Sequence, residues 1–261
     1  MTNNFEVDII ASGSKGNATL IKAGNTAVLI DAGVSCKRIV EGVRSCGLEP
    51  EDLSGVLLTH EHRDHIAGLS VFGRKYTQVP IFANEKTWMT IPCRREFTTE
   101  QVRVLPRGCV LGNLRIESFK IPHDAVDPVG YKLYFKDDKC TYLTDCGYVT
   151  KECKEAVENS GTVILEANHD EEMLRHGPYP RVLQERILGN YGHLSNGTAG
   201  NFLVGLKQPP QEVLLAHLSE QNNTAEVALT TVSNILEPQG VDLSLFVARQ
   251  NRLVTNKEGE R

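Results

Sequence analysis

Apolar residues in the first thirty positions alternate with polar ones or run in short blocks cut by glycines. Phe5–Ala11, Ala18–Lys22 and Thr26–Asp31 read as strands, punctuated by Gly13, Gly16 and Gly24. Ile39, Val40 and Val43 then take helical spacing over Ser35–Cys46, with Gly47 suited to the stop. The apolar run Val56-Leu57-Leu58 predicts a short buried strand, and a short helix follows from His65. Further strands are expected at Pro80–Ala83, Gln101–Leu105, Leu114–Ile121, Tyr131–Phe135 and Thr141–Thr144, with a helix around Glu85–Thr90. The second half alternates: helix Lys151–Glu158, strand Val163–Ala167, helix Arg181–Leu188, helix Ser195–Leu206, strand Val213–His217, helix Thr224–Leu236 and strand Leu245–Ala248. Two facing sheets with helices outside accommodate this α/β order, and periodicity alone leaves a doubly wound sheet open.

The densest chemistry is Thr59-His60-Glu61-His62-Arg63-Asp64-His65, directly after the apolar run. In extended chain, residues i and i+2 turn the same way, so His60 and His62 reach one point. Asp64 suits the N-cap of the following helix, with His65 in its first turn. Imidazole and carboxylate donors suit borderline divalent cations such as zinc, manganese or iron. His123, Asp145 and His217 each stand at the end of an apolar strand, where site loops gather. Taken singly, each also reads as a hydrogen-bonded surface residue. A carboxylate at Asp145 can bridge two cations, which a histidine cannot.

The pattern HxHxDH over residues 60–65 resembles the signature of the metallo-β-lactamase superfamily at every position. That resemblance implies an αββα sandwich and a dinuclear centre. One divalent ion would be held by His60, His62 and His123, the other by Asp64, His65 and His217, with Asp145 shared. Manganese, zinc or iron would serve. Two such cations about 3.5–4 Å apart activate a shared water and clamp a phosphoryl group. Two ligand carboxylates against four positive charges leave the centre positive, which favours an anionic substrate. Gly192-His193-Leu194-Ser195-Asn196, paired with Ala216-His217-Leu218-Ser219, resembles the phosphodiesterase and nuclease branch, as in ribonuclease Z and the cyclic-phosphate diesterases. There the first histidine is no ligand. His193 would protonate or neutralise the leaving oxygen, oriented by a carboxylate such as Asp64. The residues alone also fit a helix-capping turn, with Ser195 as N-cap.

Three further strings, Ala11-Ser-Gly-Ser-Lys-Gly-Asn17, Glu166-Ala-Asn-His-Asp170 and His217-Leu-Ser-Glu-Gln-Asn-Asn223, resemble the YycJ/WalJ group of small bacterial proteins over nearly the whole chain. The implied activity is a metal-dependent exonuclease on double-stranded DNA, acting from the 5′ end, with links to mismatch repair or to cell-wall and division control. Ser14 and Asn17 lie in a glycine-rich turn that either holds a phosphate or is a plain hairpin turn. His169 reads as a residue behind the ligands, within reach of substrate, or as a structural hydrogen-bonding group. The long insertion of larger RNA-cutting relatives is absent, which counts against long RNA. A thioesterase of the glyoxalase II kind would leave the His193 segment unexplained. A small cyclic phosphodiesterase would use the same residues, and a metal-bound regulatory protein with little turnover is the alternative of another class.

The 261 residues suffice for one domain over 1–254, with a polar tail at 255–261 expected to be loose. A net charge of −5 does not advertise nucleic-acid binding, so local patches matter: Arg94, Arg95, Arg103 and Arg107, or Arg175, Arg181 and Arg186, each of which also reads as solvated surface. Seven scattered cysteines without a CxxC pair argue against a zinc ribbon and fit a reduced, cytoplasmic protein. Cys146, beside Asp145, reads as a packing residue. No stretch is apolar enough to span a membrane, and the N-terminal residues lack a signal peptide's pattern.

Overall fold

The computed structural model describes residues 4–105 and 107–257. In chain order the strands are β1 (Glu6–Ala11), β2 (Ala18–Ala23), β3 (Thr26–Ile30), β4 (Gly55–Leu57), β5 (Ile81–Ala83), β6 (Val102–Val104), β7 (Gly108–Leu111), β8 (Leu114–Lys120), β9 (Val129–Phe135), β10 (Asp138–Leu143), β11 (Thr162–Glu166), β12 (Glu212–Ala216), β13 (Ser244–Val247) and β14 (Val254–Thr255). The helices are α1 (Cys36–Ser45), α2 (Arg63–Ile66), α3 (Leu69–Lys75), α4 (Glu85–Thr90), α5 (Lys151–Val157), α6 (Glu171–His176), α7 (Arg181–Leu188), α8 (Asn196–Val204) and α9 (Ala225–Leu236).

The strands form two seven-stranded sheets, ordered β14-β1-β2-β3-β4-β5-β6 and β13-β12-β11-β10-β9-β8-β7. Each sheet pairs antiparallel strands first (β1 to β3, β7 to β10) and parallel strands afterwards (β3 to β6, β10 to β13). Side-chain alternation decides the layering. In β3, Ala27 and Leu29 pack with Ile39, Phe72 and Trp88 of the first helix layer. Val28 and Ile30 of the same strand face Ile116, Tyr131 and Leu133 of the other sheet. In β11, Ile164 joins that middle layer, while Val163 and Leu165 pack with Ala156, Leu203 and Val232 of the second helix layer. The result is the αββα sandwich. Its parallel strands are buried on both faces, which is why Thr162–Glu166 and Glu212–Ala216 read as continuous apolar runs. No helix among the described residues is long and apolar enough to cross a membrane.

Several expectations need correction. Asp64 is not the N-cap of α2: His62 takes that place without a side-chain capping bond, and Asp64 falls in the first turn. Its carboxylate points instead toward His65 and His217. The tail does not begin at Thr255. Asp8 pairs with Thr255 and Ile9 with Val254, and the Asn256 side chain accepts the Val7 N–H at 3.0 Å. Residues 258–261 of the expected tail lie outside the described residues. Strands β7 and β14 and helices α3 and α6 were absent from the sequence-based expectation.

Candidate metal centre

The loop after β4 is fixed from both sheets. Tyr131 of β9 donates its hydroxyl to the Leu58 carbonyl at 2.5 Å, and the Val129 N–H reaches the Thr59 carbonyl at 3.1 Å. Gly33 lets a third segment close in: a Cβ there would sit 1.6 Å from the Asp64 carbonyl oxygen, so only glycine permits this approach. Further side chains arrive from the C-terminal ends of neighbouring strands. Asp31 and His217 directly follow β3 and β12, and Asp145 lies two residues past β10, all with left-handed backbone, at φ 61°, 57° and 57° for Asp31, Asp145 and His217. Non-glycine residues adopt this region at a cost, and it concentrates where surrounding structure dictates a functional geometry.

These loops bring seven residues together. His60, His62 and His123 form one group whose donor atoms lie within 4.8 Å of one another, and Asp64, His65 and His217 form another. Asp145 stands between them, Oδ1 3.8 Å from His123 Nε2 and Oδ2 3.5 Å from His65 Nε2. The rings are anchored by one nitrogen. His60 Nδ1 lies 2.9 Å from Thr59 Oγ1, His65 Nδ1 2.7 Å from Asp31 Oδ2, and His217 Nδ1 2.9 Å from Glu166 Oε1. His60 Nε2, His217 Nε2 and Asp145 Oδ2 are buried with no hydrogen-bond partner among the described residues. Buried polar atoms are almost always satisfied. Such unpartnered atoms, one in each histidine group on a ring held from behind and one on the carboxylate between the groups, fit divalent cations.

Charge divides the cluster. Burial lowers His60 well below the ordinary histidine range, and neighbouring His65 adds to the effect. Burial lowers His123 as well. At His65 burial pulls the same way, yet Asp145, Asp31 and Asp64 hold it well above that range. His217 is likewise raised against burial, to about 10, with Asp145 the strongest cause. Asp145 stays ionised despite complete burial, because His217 and His65 flank it.

Two orienting carboxylates were not singled out from the sequence. Asp31 holds His65 and also accepts the Thr59 N–H at 2.8 Å. Glu166 takes the part expected of Asp64: its Oε1 lies 2.8 Å from His193 Nδ1. The same oxygen holds His217, while Oε2 accepts the N–H groups of Cys146 and Leu194, both at 2.9 Å. Burial opposes its charge, but His193 keeps Glu166 ionised, down to about 2. The available signal was a carboxylate ending an apolar run, Val-Leu-Ile-Asp31 and Val-Ile-Leu-Glu166.

His62, Asp64, His123, Asp145, His193 and His217 line a cavity of about 280 Å³. Ser14 reaches it, but Asn17 and His169 do not. Asn17 is buried: its side chain accepts the Gly13 N–H at 2.9 Å and faces His65 Nε2 at 3.2 Å, which closes the turn from inside. His169 is also buried, and burial lowers it to about 4. The three arginines of the second expected patch are paired: Arg175 with Glu171, Arg181 with Glu185, and Arg186 with Asp124. Of the arginines in both patches, Arg186 alone lines the cavity. Cys146 is a buried packing residue.

Fold and site together define a metal-dependent hydrolase of the metallo-β-lactamase fold. Residues 26–218 match the β-lactamase superfamily domain family. The chain is 39% identical over 253 residues to exodeoxyribonuclease WalJ of Streptococcus pneumoniae serotype 2, covering 93% of each chain. It is 38% identical over 236 residues to exodeoxyribonuclease YycJ of Bacillus anthracis, covering 89% of each. The crystal structure of the metallo-β-lactamase fold protein YhfI from Bacillus subtilis superposes with a TM-score of 0.73 at 16% identity, over 97% of this chain and 100% of that one. The chain belongs to the β-lactamase superfamily and, within it, to the WalJ/YycJ family.

Proposed function

We propose that this protein is a dinuclear metal-dependent phosphodiesterase that digests DNA from a strand end. The observation that carries the reading is the Glu166–His193 pair at the cavity, beside seven convergent ligand-type residues. His60, His62 and His123 would hold one cation, Asp64, His65 and His217 the other, and Asp145 both. Bound there, manganese or zinc would polarise the phosphodiester and supply a nucleophile from water. The protein's own part lies opposite. Glu166 fixes His193 by Nδ1, leaving Nε2 as the atom that faces the leaving oxygen and delivers a proton to it. A thioester needs no such donor, because a thiolate leaves readily.

DNA as substrate is the reading supported by the relatives, both named exodeoxyribonucleases. Duplex preference, 5′ polarity and a place in mismatch repair or cell-wall and division control rest on the family likeness alone. A small cyclic phosphodiesterase is the second reading, favoured by a cavity just below the usual ligand-pocket range of about 300–1,000 Å³. The deciding assay offers 5′-labelled duplex, 3′-labelled duplex and a cyclic nucleotide to protein loaded with manganese or zinc. Release of mononucleotides from one end of the duplex is the expected result. Hydrolysis of the cyclic nucleotide with the duplexes left intact would replace the DNA reading.

A further inference from the structure

One wall of the cavity contributes none of the seven ligand-type residues and meets them through the Gly192 carbonyl, 3.3 Å from His123 Nδ1. It consists of α7 and the turns on either side, presenting Leu183, Arg186 and Ile187 at helical i, i+3, i+4 spacing, with Tyr179 before the helix and Tyr191 after it. Trp88, Phe72 and Tyr131 are buried, whereas Tyr191 is 63% exposed; Tyr148, outside the cavity lining, is 47% exposed. Both tyrosines stand on constrained backbone. Tyr179 lies between Pro178 and Pro180, which fix their own φ and hold Tyr179 extended. Its carbonyl accepts the Gln184 side chain at 3.0 Å. The turn before Tyr191 presses on the Asp145 loop so closely that a Cβ on Gly147 would lie 2.2 Å from the Asn190 carbonyl oxygen. The His193 N–H closes this turn onto the Ile187 carbonyl at 3.0 Å. The wall that displays the tyrosines therefore also places His193.

Rigid aromatic faces with an apolar stripe suit a flat nucleobase better than a phosphate chain. Arg181, on the same helix but outside the cavity lining, is engaged with Glu185, so charge alone does not explain the wall. Arg186, 60% exposed, turns its Nε and Nη2 to Asp124 and leaves Nη1 for a phosphate. A cavity of about 280 Å³ admits a single nucleotide, not a duplex. We propose that this wall is a platform for the terminal nucleobase: Tyr179 and Tyr191 stack on the last base of the strand being digested, with Arg186 facing the adjoining phosphate. This inference rests on the DNA reading above. It makes end recognition a matter of base stacking, tolerant of sequence because every base has a π-face.

The experiment compares duplexes carrying intact or abasic terminal nucleotides at both ends. The enzymes are metal-loaded wild type and the variants Tyr179→Ala, Tyr191→Ala, Tyr179→Phe and Tyr191→Phe, each checked for fold and metal content. Loss of one base–aromatic stack corresponds to about 5- to 150-fold in kcat/KM. Wild type is expected to lose a factor in this range on the abasic ends. The alanine variants should lose it on intact DNA and discriminate less between the two ends, and the phenylalanine variants should keep wild-type behaviour. Wild type indifferent to the abasic end would overturn the platform while leaving the DNA reading intact. So would alanine variants that keep the full wild-type discrimination, because the wall would then only position His193. Wild type inert on both duplexes, yet active on an aryl phosphodiester, would overturn both.

Discussion

His60 and His123 rest against neutral groups, the Thr59 hydroxyl and the Gly192 carbonyl, whereas His65 and His217 rest against the carboxylates of Asp31 and Glu166. The same residue type thus behaves oppositely a few ångströms apart. Burial dominates in the first half, at His60 and His123, and favours their neutral form, the one that ligates. In the second half anions overcome burial, and the rings of the metal-free protein hold protons. An anionic partner behind an imidazole makes it a more basic ligand once metal has displaced the proton. The halves therefore differ in how binding couples to pH and in what their supporting residues do. The three-histidine half is the one expected to bind zinc more tightly.

His193 shares Glu166 with the anionic half without belonging to it, and its removal should have the largest effect. His193→Ala is expected to lower kcat by about 10²–10⁴-fold, the usual contribution of a positioned proton donor, with both metals retained. The loss should shrink for an aryl phosphodiester with a very good leaving group, which needs little protonation. Equal losses across leaving groups would mean that His193 binds or packs only.

Coupling to pH comes next. His65 and His217 are raised above the ordinary histidine value of about 6.5. Their contribution to the stability of the metal-free fold is therefore fully present below that value. It fades as pH rises through the folded values, about 10 for His217. Cations must displace these protons, so affinity in this half should rise with pH, by about tenfold per unit for each proton displaced. His60 and His123 have none to give up at neutral pH. Calorimetric titration at pH 7 in buffers of different ionisation enthalpy should show proton release on filling the anionic half, one each from His65 and His217. Equal release from both halves would erase the contrast.

What the sequence made legible follows the same division. The HxHxDH run is local, so His60, His62, Asp64 and His65 could be singled out without a fold. Regular elements with strong periodicity, such as α4, α7 and the strands β8 and β12, were legible to within a residue or two. Short pieces whose partners lie far along the chain were not: β14 exists because Val254 and Thr255 meet β1, a pairing that local propensity does not encode. Glu166 illustrates the harder failure. It is a carboxylate at the end of a buried strand, and its role appears only when β10, β11 and β12 stand side by side and two histidines close on it. Asp64, inside the motif, was the more visible candidate for orienting His193, but Glu166 takes that part. Asn17 failed for a related reason. A glycine-rich turn exposes some of its polar groups and buries others, and Asn17 faces inward to His65.

The smallest effect sharpens the comparison most. Asp31 is fully buried and accepts from the Thr59 N–H, the Thr59 hydroxyl and His65 Nδ1. Asp31→Asn keeps the side-chain shape and an oxygen for His65 while removing the charge. Alanine would be a poorer probe, since stripping one partner from a buried pair costs about 3–5 kcal/mol and risks the fold. Loss of a supporting carboxylate behind a ligand histidine typically weakens metal binding by about 10–100-fold. The loss should fall on the half containing His65, because His60 is held by a neutral hydroxyl that the variant leaves in place. Competition against a chromophoric chelator should resolve two binding phases in wild type, and in the variant the His65 phase should weaken while the other stays where it was. If both phases move together, Asp31 supports the Thr59–His65 loop as a whole, and the halves are one cooperative unit rather than two differently charged sites.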